Sequence, residues 1–220
     1  MLIDFGGTLD ADGEPWVERF FRRYQEVGGT VDRPEFSVAF SRSDAELARL
    51  PGIGGFDYSA LVAAQADLLA GLLHDGAVLR KAAVAGGFVA SARNVALRNR
   101  EILIALSADF RLAVVSNYQG NLQPCLDELG LGDLFDVVSD SEIVGARKPD
   151  RRIFDTTLAA LGCTPAGSWM IGDSPANDIA AAAALGMRTC WVASANRPAV
   201  GIAPTVRVSR FDQVPRALVA

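Results

Sequence analysis

From residue 111 onward the apolar residues come in short unbroken runs separated by longer amphipathic stretches. The runs are RLAVVS (111–116), LFDVVS (134–139), SWMIGD (168–173) and MRTCWVA (187–193), and helical patterns at 121–129, 151–161 and 175–185 lie between them. An apolar run of this length has both faces buried, and its alternation with helices of about ten residues predicts a parallel sheet covered on both sides. Gly130, Gly162 and Gly186 follow the helical stretches where a left-handed cap is expected.

Between residues 13 and 100 no such series occurs. Pro15 suits the first turn of a helix reaching about Val27, a second helix covers 34–50, and YSALVAAQADLLAGLL (58–73) has helical spacing with Asp57 as its N-cap. PGIGGF (51–56) and AGGF (85–88) read as flexible breaks, and EILIALSADF (101–110) as the helix that returns the chain to the sheet. Residues 1–5 form the first apolar run. The expected fold is α/β: a Rossmann-like parallel sheet core from residues 1–13 and 101–220, with a helical cap, 14–100, inserted after the first strand. Ligands of open α/β sheets bind beyond the carboxyl ends of the strands, so Asp4, which closes the first run, stands at the expected mouth.

Composition narrows the function. A chain of 220 residues that is 50% apolar can bury a full core. Its net charge of -5 argues against a non-specific nucleic-acid surface, although a local pocket can still oppose the global sign and hold a small anion. The three cysteines are widely spaced with no CxxC pair, which fits a reducing compartment. No apolar run approaches the roughly 18 residues of a membrane span. The expectation is a soluble, cytoplasmic protein with neither membrane nor nucleic-acid partners and with no oligomeric state indicated. His74, beside Asp75, reads as a solvated helix-terminal residue, so no histidine triad is expected. Only two lysines exist, Lys81 and Lys148.

Four strand ends carry candidate chemistry: Asp4 after LI, Ser116 and Asn117 after LAVV, Lys148 in the loop VGARKPD (144–150), and Asp173 after WMIG. In a parallel sheet these ends converge. Two carboxylates brought together repel unless a cation lies between them, and a hard divalent ion such as Mg²⁺ is the natural solution. Gly6 and Gly7 are read as allowing close backbone approach to a ligand.

Together, D-F-G-G-T-L (4–9), V-V-S-N (114–117), K-P-D (148–150) and G-D-S-P-A-N-D-I (172–179) resemble the four motifs of the haloacid dehalogenase superfamily, mostly Mg²⁺-dependent phosphatases. The insertion after the first motif resembles that superfamily's helical cap. The resemblance implies that Asp4 is the nucleophile that becomes an aspartyl phosphate. It implies that Ser116 and Asn117 hold phosphoryl oxygens, that Thr8 ties down the loop, and that Lys148 neutralises charge on the transferring group. It implies a Mg²⁺ site at Asp4, Asp173 and the Gly6 carbonyl, with Asp178 also at the metal or orienting waters and Lys148 from behind it.

One position departs from the pattern. The superfamily's phosphatases usually read D-x-D, the second Asp being the general acid and base, and Gly6 stands there in this chain. Such catalysis contributes about 10² to 10⁴ in rate. The expected activity is hydrolysis of a small phosphorylated metabolite, with the acid supplied by the cap (Asp12, Glu14 or Asp57), by the substrate, or not needed. Two alternatives follow: a weak or silent phospho-ligand-binding relative, and a phosphonatase-like carbon–phosphorus hydrolase using Lys81 as a Schiff-base amine. A dehalogenase proper works without metal and fits Asp173 poorly. Cap arginines (Arg19, Arg22, Arg23, Arg33, Arg42, Arg49, Arg80, Arg93) could meet an anionic substrate, and the glycines at 52–55 and 86–87 are candidate substrate loops or hinges.

Overall fold

In the computed structural model, described here over residues 1–73, 80–194, 197–198, 201 and 203–218, six strands form one sheet. They are β1 (Leu2–Ile3), β2 (Ala113–Ser116), β3 (Val137–Asp140), β4 (Trp169–Gly172), β5 (Arg188–Val192) and β6 (Val206–Val208). Their order is β3-β2-β1-β4-β5-β6 and every pairing is parallel. The helices are α1 (Trp16–Glu26), α2 (Arg33–Leu47), α3 (Tyr58–Leu72), α4 (Lys81–Ser107), α5 (Leu122–Glu128), α6 (Ser141–Val144), α7 (Arg151–Leu161), α8 (Ala181–Ala184) and α9 (Val214–Leu218). The α/β expectation holds, with β6 as an edge strand that the apolar pattern did not announce. His74 and Asp75 lie outside the described residues.

Side chains on successive strand positions point to opposite faces, and both faces are covered. Ile3, Val114, Ile171 and Cys190 join the layer formed by the inserted helices, α4 and α5. Leu2, Ala113, Val115 and Met170 pack against Ile153, Phe154 and Leu158 of α7. Each fully buried side chain of this kind contributes about 1.5–3 kcal/mol. Helix α7 begins and ends where expected. The Asp150 carboxylate accepts from the Arg152 amide, and Gly162 takes the left-handed conformation at φ 65°.

The inserted region departs from expectation at residues 85–110. AGGF is no break: α4 runs unbroken for 27 residues through Gly86 and Gly87 and takes the place of the separate helix expected at 101–110. It therefore crosses residues 100 and 101, the expected junction of cap and core. Its buried stripe, Val84, Phe88, Ala92, Ala96, Leu103 and Leu106, recurs with helical spacing, and that burial outweighs the cost of about 1 kcal/mol for a helical glycine. At Gly87 a side chain would start 3.3 Å from the Arg23 side chain of α1, so the glycine lets the two helices approach. Residues 51–56 do form a turn, with a short 3₁₀ helix at Ile53–Gly55.

Candidate active site

The register puts the ends of β1, β2 and β4 level: Ile3 pairs with Val114 on one side and Ile171 on the other. The Asp4 amide continues the ladder by donating to the Ile171 carbonyl at 2.8 Å. Asp4, Ser116 and Asp173 therefore emerge together at the point where the strand order reverses. Asp4 is 5% exposed. Its Oδ1 accepts from Lys148 Nζ at 2.7 Å and from Ser116 Oγ at 3.2 Å, and its Oδ2 accepts from Thr8 Oγ1 at 3.0 Å.

Lys148 is buried and its ammonium is fully used. It donates to Asp4, to Asp178 Oδ1 at 2.6 Å and to the Val115 carbonyl at 2.9 Å. Burial alone would lower its pKa; Asp178 and Asp4 outweigh that, and the net direction is up, so the group stays charged. Asp178 is held from both sides, its Oδ2 accepting from the Ser174 amide at 2.9 Å. The Asn117 carboxamide binds the Lys148 main chain at both ends, donating to its carbonyl at 2.9 Å and accepting from its amide at 2.7 Å. Its side chain thus anchors the lysine loop, where a contact to phosphoryl oxygens was expected.

Asp4, Asp173 and Asp178 each offer a carboxylate oxygen within 4.8 Å of the others. Burial, then the charges of Asp4 and Asp178, push Asp173 up to about 8, with Arg197 opposing. Burial pushes Asp178 up to about 6, with Lys148 opposing and Asp4 adding. Three buried carboxylates that resist joint ionisation beside one ammonium form a donor set suited to a hard divalent cation, and Mg²⁺ fits it. Gly7 belongs to this packing: at φ 92° it is left-handed, and a side chain there would start 3.0 Å from the Asp173 carboxylate. Gly6 does not share that reason. Its φ of -74° and ψ of 117° suit any residue. The Trp16 indole borders position 6, its Nε1 lying 3.3 Å from where a Cβ would stand.

Trp16, Asp10 and Arg197 carry no motif that would have singled them out. Asp10 is fully buried and binds the first loop to the inserted helices. Its Oδ1 accepts from the Gly7 amide at 2.7 Å, and its Oδ2 accepts from Trp16 Nε1 at 3.0 Å, Arg19 Nη1 at 2.7 Å and the Tyr58 hydroxyl at 2.5 Å. Its place six residues after Asp4, in one glycine loop, was the available clue. Arg197 Nη1 reaches Asp173 Oδ2 at 3.3 Å. Tyr58→Phe removes one donor from the buried Asp10 carboxylate, and a loss of about 1.5–3 kcal/mol is expected, read as a lower denaturation midpoint at unchanged slope.

These groups open into a cavity of about 580 Å³, a size that suits a small ligand. Its walls include Trp16, Phe40, Leu61 and Tyr118, and Arg33 and Asp44 reach it from α2. None of the glycines at 52–55 and 86–87, the candidate substrate loops, is among its lining residues. The three expected acid donors are engaged elsewhere. Asp12 accepts from Arg98 and the Phe211 amide, Glu14 pairs with Arg22, and Asp57 caps α3 through the Ala60 amide. Lys81 is paired with Asp67 at 2.8 Å and lines a separate small cavity with Tyr24 and Leu69, apart from the one that holds Asp4. Among the described residues no helix is long and apolar enough to cross a membrane.

Residues 1–186 match the family of haloacid dehalogenase-like hydrolases. The pyrimidine 5'-nucleotidase YjjG of Escherichia coli (strain K12) is 35% identical over 121 residues, 53% of each chain. The phosphoserine phosphatase of Thermus thermophilus is 37% identical over 105 residues, 47% of this chain and 42% of that one. The chain thus matches about half, or less, of the length of these curated relatives. Among solved structures, the magnesium-bound HAD-hydrolase YfnB of Bacillus subtilis superposes with a TM-score of 0.61 at 20% identity, covering 98% of this chain and 96% of that one.

Proposed function

Because the chain belongs to the haloacid dehalogenase-like hydrolases, we propose that it is a Mg²⁺-dependent phosphohydrolase that removes phosphate from a small organic phosphate through Asp4. The observation that carries this reading is the buried, charged Lys148 bridging Asp4 and Asp178 at the floor of an open cavity. Relatives named a phosphoserine phosphatase and a pyrimidine 5'-nucleotidase support a phosphate ester as substrate.

In this reading Asp4 attacks phosphorus and the leaving oxygen departs with the electron pair of its P–O bond. Water then attacks the same phosphorus, releasing inorganic phosphate and restoring the carboxylate. Thr8 and Ser116 hold the two Asp4 oxygens, and Lys148 offsets charge that develops on the transferred group in a site shielded from bulk water. Asp178 and Asn117 keep Lys148 in place. Bound Mg²⁺, held by Asp4, Asp173 and the Gly6 carbonyl beside Asp178, would supply the positive charge that lets a phosphate dianion approach a carboxylate. Phosphate release from acetyl phosphate, with Mg²⁺ and then with excess chelator, tests the reading. Loss of turnover on chelation is expected. Thermal protection by phosphate compounds without any turnover would favour a phospho-ligand-binding relative.

The same carboxylates set a pH dependence. Raised folded-state pKa values mean that the folded protein binds more protons than the unfolded chain between about pH 4 and pH 8. Metal-free protein should therefore lose stability as pH rises through that window. Mg²⁺ favours the ionised forms, so the stabilisation it gives should grow from pH 5 to pH 8. Thermal melts with and without Mg²⁺ at three pH values measure this, and a Mg²⁺ effect independent of pH would count against a site built from Asp173.

A further inference from the structure

The backbone at Gly6 admits any residue, yet the position carries no side chain, and the Trp16 indole borders it, with Nε1 3.3 Å from where a Cβ would stand. Trp16 is fixed there. Its Nε1–H is committed to Asp10, and its ring packs edge-on against Tyr58, Phe88 and Tyr118 at centroid distances of 5.7, 5.0 and 6.5 Å. It also lines the cavity that contains Asp4, with Tyr118 and Phe40 as further aromatic walls. Position 6 thus offers the cavity no group able to protonate a leaving oxygen, and its neighbour there is an aromatic wall.

Resting on the phosphohydrolase reading above, we infer that the substrate is an aryl phosphate, its ring packed beside Trp16 and its leaving oxygen stable enough to depart without a proton. In the first step the Asp4 oxygen bonds to phosphorus, the P–O(aryl) bond breaks, and the aryloxide leaves with the bonding pair, taking its proton later from water. A phenol, with a pKa of about 10 as in tyrosine, allows this. An alkoxide does not: its conjugate acid is about as weak as water, with a pKa of about 15.7 for water itself. Alkyl phosphates therefore carry the full handicap of about 10² to 10⁴ in rate, and aryl phosphates largely escape it.

The test is a panel on the intact protein with Mg²⁺: acetyl phosphate, 4-nitrophenyl, phenyl and 4-methoxyphenyl phosphates, glycerol phosphate and a pyrimidine nucleoside 5'-monophosphate. The expected result is a kcat/KM that falls steeply as the leaving-group pKa rises, with both alkyl esters at least about 100-fold below phenyl phosphate. Trp16→Leu should lower the ratio of phenyl to acetyl phosphate kcat/KM about tenfold, read as a rise in KM for the aryl ester, and Trp16→Phe should recover part of it. Gly6→Asp should accelerate the alkyl esters more in the Trp16→Leu background than alone, because that background relieves the 3.3 Å contact between a Cβ at position 6 and the indole. Acetyl phosphate separates the two levels of the argument. If it turns over but the alkyl esters match the aryl esters within about threefold, the aryl inference is overturned, the phosphohydrolase reading stands, and Asp44, a cap carboxylate that lines the cavity, becomes the acid to test. If acetyl phosphate itself is inert, both fall.

Discussion

Asp4→Asn is expected to reduce Mg²⁺-dependent phosphate release by more than about 10³-fold while the protein stays folded. The substitution keeps the shape of the side chain and an oxygen that can accept from Lys148 and Ser116. It removes the one oxygen nucleophile at the end of β1, and no neighbour can replace it. Asp173 carries a raised pKa and is paired with Arg197, and Asp178 is bound on both oxygens by Lys148 and the Ser174 amide. Removal of one charge from three crowded carboxylates also relieves repulsion. The melting temperature of the metal-free variant should therefore be no lower than that of the wild type. An inactive, equally stable variant separates chemistry from folding, whereas residual activity within tenfold of wild type would place the nucleophile elsewhere.

Lys148→Met should have the largest effect on stability. The ammonium neutralises Asp4 and Asp178 in a buried site, with 2% of its side chain exposed. Methionine has nearly the same volume but donates nothing, so two carboxylates are left buried without their cation. Breaking a buried pair from one side costs about 3–5 kcal/mol. The penalty should depend on pH in a direction that identifies its cause. Without Lys148 the raised folded-state pKa of Asp178 loses the charge that opposes it and rises further, so protonation restores stability as pH falls. Denaturant titrations at pH 8 and pH 5 should give a smaller loss at pH 5. An equal loss at both values would mean that packing, not charge, is what the lysine provides.

Much of this arrangement was readable from the chain because parallel strands are buried on both faces. Unbroken runs such as LAVV and WMIG mark such strands, and the residues that end them have to converge. Asp4, Ser116, Lys148 and Asp173 became visible in that way, and Asp178 only through the resemblance of GDSPANDI to a superfamily motif. Strand β6 did not, since VRV is three residues long with an exposed arginine at its centre, as an edge strand permits. The glycines at 86 and 87 were misread because local propensity is a weak signal beside the buried stripe of a 27-residue helix. Asp12, Glu14 and Asp57 looked like available acids, but Asp12 is bound by Arg98 and the Phe211 amide, both distant in sequence, Glu14 pairs with Arg22, and Asp57 serves the capping role its spacing indicated. Trp16 and Asp10 were hidden for a related reason. Their importance lies in packing between the first loop and helices inserted after it, a contact that no short-range pattern encodes.

The glycine at position 6 also makes the central claim open to a direct measurement. Without a side chain there to activate water, breakdown of the aspartyl phosphate should be slow, so the intermediate should accumulate. Borohydride reduces an aspartyl phosphate to homoserine, which peptide mass spectrometry can locate. Protein incubated with acetyl phosphate and Mg²⁺ and then quenched with borohydride should carry homoserine at position 4, and the modification should vanish when Mg²⁺ is chelated. Turnover of acetyl phosphate with residue 4 always recovered as aspartate, or the mark found at another carboxylate, would contradict the account.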